Sequence, residues 1–143
     1  MKSLMKDFKN LLRYWGPVAL WMGIIFLFSS FPTGSASQIV WSDFFLKKTA
    51  HLTEYGVLAI LFYRALKNSG VKRERAALAA IIMVFVYGIS DEIHQSFTPG
   101  RMPKWYDVGF DTIGGILAIF YIWKKLPLTQ GKLKVWAEKL ELN

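Results

Sequence analysis

Residues 14–31 read YWGPVALWMGIIFLFSSF, a run in which no position carries a charge. A helix rises ~1.5 Å per residue and the hydrocarbon layer of a bilayer is ~30 Å thick, so a run of this length reads as a crossing segment. Three further apolar blocks follow it, at 49–66, 76–97 and 106–123. The chain holds 143 residues, 53% of them hydrophobic and 16% aromatic. That length leaves room for one domain, and the composition is too apolar for an ordinary soluble one. In lipid only helices and closed barrels satisfy every backbone N–H and C=O. The polar–apolar alternation of a membrane barrel is absent. The expected architecture is all-α, with four transmembrane helices in a single bundle over 1–125 and a cytoplasmic amphipathic tail over 126–143.

The first block follows a basic start (Lys2, Lys6, Lys9, Arg13), and small residues Gly34 and Ala36 stand at the distance of a signal-peptidase site. Its apolar stretch exceeds the ~7–15 residues of a signal-peptide core, so an anchoring helix is the better reading. Orientation follows from basic residues, which stay in the cytoplasm. Fourteen of the 18 lysines and arginines fall at the N-terminus, around Arg64–Arg75, or in the tail after Trp123. Lys47, Lys48, Arg101 and Lys104 make up the other side. Both termini are therefore expected in the cytoplasm, with loops 32–46 and 98–105 outside. This topology, together with anionic lipid, accounts for the net charge of +8 without nucleic acid. There is no cysteine, which removes disulfide and thiol chemistry. In the tail, Leu133, Trp136, Ala137 and Leu140 recur at helical spacing between lysines and glutamates. That pattern fits a short helix on the inner leaflet or an ordinary solvated helix.

The informative residues are the polar ones inside the apolar blocks. The second block opens KKTAHLTEY, with His51 and Tyr55 one helical turn apart and Glu54 beside them. The third ends SDEIHQSF, where Asp91 and Gln95 share a face, Glu92 neighbours Gln95, and His94 follows Asp91 by one turn. The fourth opens YDVGFDTIGG, with Asp107 and Asp111 four apart. Counted from the outer helix ends, Glu54, Asp91 and Asp111 all lie about 7–11 Å deep at ~1.5 Å per residue. A charge buried in a transmembrane helix costs at least ~2.5 kcal/mol, so these carboxylates should face one another, water or a ligand. The turn at Pro99-Gly100 is expected to fold Arg101 back over the same layer, where its planar fork suits a carboxylate or phosphate.

Several chemistries remain open on these residues. A cluster that only fastens helix ends is one. A binding pocket open to the outer face is another, with membrane lipids at the level of its polar groups. A carboxylate-dependent hydrolase or transferase is the third, with Asp91, Glu92 and His51 as candidate catalytic groups. A divalent metal would draw on His51, Glu54, Glu92 and His94, although neither His51-x-x-Glu54 nor Glu92-x-His94 matches a specific metal motif. A carrier is the weakest reading, since four unbroken helices leave little room for alternating access. Gly88, Gly114 and Ala118 read as small residues that let backbones approach.

Two linked motifs carry a family resemblance. One is Lys47, His51 and Tyr55 in KKTAHLTEYGVLA. The other is Asp91, Glu92, Gln95, Phe97, Pro99 and Arg101, followed by Asp107 and a small-residue helix. In order, spacing and topology the chain resembles the VanZ-like family of membrane proteins over about Ser29 to Gly115. The resemblance implies a four-helix membrane domain tied to the bacterial cell envelope, and an association with low-level resistance to teicoplanin. It maps the family's shared polar positions onto His51, Tyr55, Asp91, Glu92, Gln95, Arg101 and Asp107. Asp111 departs from the pattern, where many members look to have Asn.

Overall fold

A computed structural model describes residues 2–31, 41–128 and 131–142. Helix α1 covers Lys2–Ser30, α2 Trp41–Asn68, α3 Arg73–Ser96, α4 Trp105–Phe120 and α5 Lys132–Lys139. A π-helical turn, Tyr121–Lys125, continues α4 and is followed by a 3-10 turn at Leu126–Leu128. The described residues contain no strand. Gly34 and Ala36, and most of the expected loop 32–46, lie outside the described residues.

Two boundaries differ from the sequence reading. Helix α1 starts at Lys2 and not at 14, because the basic segment before the apolar block holds no helix breaker. Helix α2 starts at Trp41 and not at 49, so residues 41–46 are helical where a loop was expected. Pro17 lies inside α1 and has no N–H to give the carbonyl of Arg13 one turn earlier. The guanidinium of Arg64 meets that carbonyl instead, at 3.3 Å.

Among the described residues, two stretches, Asp7–Ser30 and Arg73–Ser96, are long and apolar enough on their own to cross a membrane. Helix α4 is short at 16 residues, and α2 carries charged residues along its length. The reason for the polarity of α2 is its position. It packs against α1, α3 and α4, while α1 touches α2 and α3 without reaching α4. Tyr55, Leu58, Ala59, Phe62, Tyr63 and Ala65 of α2 are buried. A helix enclosed by its neighbours can carry polar groups that a lipid-facing one cannot. The outward faces of α1, α3 and α4 are apolar: Leu20, Leu27 and Phe28, then Leu78, Ile82 and Val86, then Leu117 and Phe120 are all exposed. So broad an exposed apolar surface marks a membrane or a partner, since soluble monomers rarely carry one.

Small residues set the closest approach. A Cβ on Gly114 would lie 2.4 Å from the carbonyl oxygen of Leu52, and one on Gly56 would lie 3.3 Å from the carbonyl of Gly114. Helices α2 and α4 therefore meet backbone to backbone, running the same way from the end that holds Lys48 and Asp107.

At the opposite end the tail closes on the bundle. Glu141 lies 2.5 Å from Arg13 and 3.6 Å from Arg64, whose Nε also donates to the carbonyl of Leu140 at 2.9 Å. Ala137 and Leu142 are buried there, while Trp136 and Leu140 are exposed. The apolar stripe expected along the tail helix is thus divided between two surfaces, because α5 docks through Ala137 and the turn after it. The side chain of Leu133 lies outside the described residues.

Candidate functional site

The polar residues singled out in the sequence gather where the beginnings of α2 and α4 meet the end of α3. From α2, Lys48 forms an ion pair with Asp107 of α4, both nearly buried. The Lys48 ammonium also stands 4.6 Å from the ring centre of Tyr106 and 5.2 Å from that of Phe110, a cation–π arrangement. One turn deeper, His51 Nδ1 and Asp111 Oδ1 are 2.9 Å apart. An ionised carboxylate only accepts, so Nδ1–H donates. Tyr55 follows, its ring parallel to that of His51 within 7° at 6.3 Å between centroids.

Helix α3 adds the other carboxylates. Gln95 Nε2 donates to Asp91 Oδ2 at 2.7 Å along the helix. Glu92 Oε2 accepts the backbone N–H of Lys104 at 2.5 Å, which ties α3 to the entry of α4. Gly88, one turn before this pair, faces Asp111, whose Oδ2 would lie 3.3 Å from a Cβ placed there. Glu54 is half-buried, within electrostatic reach of His51, Asp111, Asp91 and Arg101. Among the described residues, three side-chain atoms in the layer have no hydrogen-bond partner: the Tyr55 hydroxyl, Asp91 Oδ1 and Glu92 Oε1.

Three expected members point elsewhere. The Arg101 guanidinium, expected over the carboxylates, donates to the carbonyls of Phe28 at 2.8 Å and Phe31 at 2.9 Å. It caps the end of α1, where helix carbonyls lack partners of their own. His94 leaves the layer for α1, with Nε2 3.0 Å from Ser30 Oγ and its ring 4.1 Å from that of Phe26. Ser30 already donates its only proton to the carbonyl of Phe26 at 2.7 Å, so His94 is the donor and the pair is a fastening, with no base poised on a nucleophile. Lys47 is exposed, and the buried ammonium belongs to Lys48. One residue turns a helix by ~100°, which moves Lys47 to the edge of the face that carries His51 and Tyr55.

The metal candidates do not come together either. Among the described residues no three histidine or acidic side chains are grouped so that they could hold a metal ion. His94 is fastened to α1 and Glu92 to a backbone amide, which leaves His51 and Glu54 too few companions.

Sequence reasoning missed Lys48, Tyr87 and Trp21. Tyr87 donates to the carbonyl of Met22 at 2.6 Å and Trp21 Nε1 to that of Glu54 at 2.9 Å, so both fasten α1 to the bundle. The spacing of Lys48, three before His51 and seven before Tyr55, is a signal for the first. The other two look like ordinary apolar-block aromatics in sequence.

An all-helical protein with a buried layer of carboxylates at one end of its bundle is the class this arrangement defines. The chain belongs to the VanZ/LLP1 family, whose model matches residues 14–126. The match runs from the apolar part of α1 to the turn after α4 and leaves α5 outside. No curated protein and no solved structure gives a match.

Proposed function

We propose that this protein crosses the bacterial cytoplasmic membrane four times, with both termini inside, and binds or modifies an envelope component at its outward-facing polar layer. The domain is residues 1–125, and residues 126–143 form the cytoplasmic tail. Two features support the span count. The π-helical turn lengthens α4 to Lys125, enough residues at ~1.5 Å each to approach the ~30 Å of a hydrocarbon layer. Lys48 and His51 of α2 point inward, at Asp107 and Asp111, and Tyr55, Leu58, Ala59, Phe62 and Tyr63 are buried, so the middle of α2 has little lipid exposure. The excess of lysine and arginine around α1's start, the α2–α3 turn and the tail supports the orientation.

The observation that carries the binding reading is the set of buried atoms on Tyr55, Asp91 and Glu92 that have no partner among the described residues. A cluster that served only to fasten helices would satisfy its own acceptors. The family's association with teicoplanin resistance makes a lipoglycopeptide, or the lipid-linked precursor it targets, the candidate component. The test is teicoplanin and vancomycin susceptibility of a sensitive Gram-positive host expressing the wild type or Glu92→Gln at equal membrane levels. Teicoplanin resistance that disappears in the variant supports the reading. An equal phenotype in both refutes a role for the layer.

A further inference from the structure

We infer that the unpaired part of this layer recognises a primary ammonium group, so that the ligand is an amphiphile with an aminated headgroup. The inference rests on the layer being a binding site. Asp91, Glu92 and Tyr55 are 5%, 1% and 0% exposed, and each has a polar atom without a partner among the described residues. Buried polar atoms are almost always bonded, so each of these atoms, unpaired among the described residues, is open to a partner. Two of them are carboxylate oxygens, which only accept. The single proton of Tyr55 cannot serve both. The guest must therefore bring several N–H or O–H donors.

Among the described residues, the donors around the layer are engaged elsewhere. From α2, Lys48 lies on Asp107 and His51 on Asp111, with Glu54 adding a further carboxylate. From α3, Gln95 serves the other oxygen of Asp91, and Tyr87 donates to α1. Helix α4 contributes Asp107 and Asp111, both acceptors. The Arg101 guanidinium is occupied at the end of α1, and α1 itself brings Trp21, bonded to the carbonyl of Glu54. The layer thus holds the carboxylates of Glu54, Asp91, Glu92, Asp107 and Asp111 against Lys48 and His51, with Arg101 within electrostatic reach of Glu54. A cationic guest suits that balance better than a neutral one, and the described histidine and acidic groups do not converge as metal ligands.

A primary ammonium offers three N–H donors around one charge. The layer already contains one such group in place: Lys48, on a carboxylate and beneath two aromatic rings. Beside the unpaired atoms, Tyr55 and Tyr87 stand 6.1 Å apart and supply the corresponding aromatic wall. The Tyr55 hydroxyl lies within electrostatic reach of both Asp91 and Asp111.

The test uses the full-length protein in detergent, titrated with lysophosphatidylethanolamine or lysophosphatidylcholine. These probes share chain, phosphate and net charge, and differ in whether the nitrogen carries protons or methyl groups. The thermal unfolding midpoint is expected to rise with the ethanolamine lipid at concentrations at least tenfold lower than with the choline lipid. Asp91→Asn should abolish that preference. Tyr55→Phe, which keeps the ring and removes only the hydroxyl, should weaken it severalfold and covers the case in which Asp91→Asn fails to fold. An equal response to ethanolamine alone would assign the same recognition to a free amine. Indistinguishable responses to the two lipids, or no response to either, would overturn the inference. If Glu92→Gln still abolished the resistance phenotype, the binding reading would survive that failure. Amine selectivity without any antibiotic phenotype would instead leave this inference standing and remove the lipoglycopeptide.

Discussion

The contact between α2 and α4 makes a quantitative prediction at Gly114. An alanine there would put its Cβ 2.4 Å from the carbonyl oxygen of Leu52 and 2.9 Å from its Cα, where ordinary contact begins at 3.4 Å. The helices must separate locally by about 1 Å, since the obstacle is backbone with no rotamer to change. Overpacking of this kind costs about 1–3 kcal/mol, and a rigid obstacle argues for the upper end. Alanine regains roughly 0.5–1 kcal/mol over glycine within a helix, leaving a net loss of about 2 kcal/mol. Gly109 is the control on the same helix, because a Cβ there meets nothing within 4 Å. Gly109→Ala should therefore stabilise by roughly 0.5–1 kcal/mol. The two variants are expected to differ by about 3 kcal/mol, or roughly 6–12 °C in unfolding midpoint for a chain of this size. Thermal unfolding of the purified proteins, followed by circular dichroism in one detergent, measures the gap. His51, next to Leu52, bonds Asp111 one turn from Gly114, so the same separation should open the 2.9 Å contact between them. Equal stability of the two variants would refute a backbone-to-backbone contact at this position.

Other contacts make independent predictions. Lys48→Met should destabilise by about 3–5 kcal/mol by leaving Asp107 buried without its partner, and adding Asp107→Leu should recover most of the loss; a double-mutant cycle of unfolding midpoints checks both. Arg101→Ala should cost about 1–3 kcal/mol and speed hydrogen exchange at the end of α1 around Phe28–Phe31, leaving exchange in α4 unchanged. At the other end, Glu141→Gln should cost less than about 1 kcal/mol because Arg13 is largely solvated. Arg64→Ala should release α5 to limited trypsin digestion more readily, since Arg64 also holds the carbonyls of Arg13 and Leu140.

Much of this arrangement was legible in the sequence, for physical reasons. The apolar blocks name α1 and α3 outright, because lipid-facing helices cannot hide polar residues. The gathering of Asp91, Glu92, Asp107, Asp111 and His51 followed from the cost of carboxylates in apolar blocks, which forces them to a shared interior. What the sequence did not disclose is side-chain direction. Lys47 and Lys48 are neighbours of identical chemistry, and only the packing of α2 on α4 decides which one turns inward. Arg101 and His94 were assigned to the layer by their spacing along α3 and its loop, but the free carbonyls and hydroxyl at the end of α1 lie closer to them. The polarity of α2 hides its place at the centre of the bundle, since hydropathy rewards helices that face lipid and not those enclosed by other helices. The docking of α5 also uses Leu140, Glu141 and Leu142, beyond the end of that helix, where periodicity holds no information.

The central claim is that the polar layer opens to the outside while the α2–α3 turn and the tail lie inside. The chain contains no cysteine, so single introduced thiols can be labelled without background. Pro99→Cys, Ser69→Cys and Lys132→Cys each fall on an exposed residue. A membrane-impermeant maleimide applied to intact cells should label Pro99→Cys and reach Ser69→Cys and Lys132→Cys only after lysis. Labelling of Ser69→Cys from outside, or equal protection of Pro99→Cys and Ser69→Cys, would contradict the account.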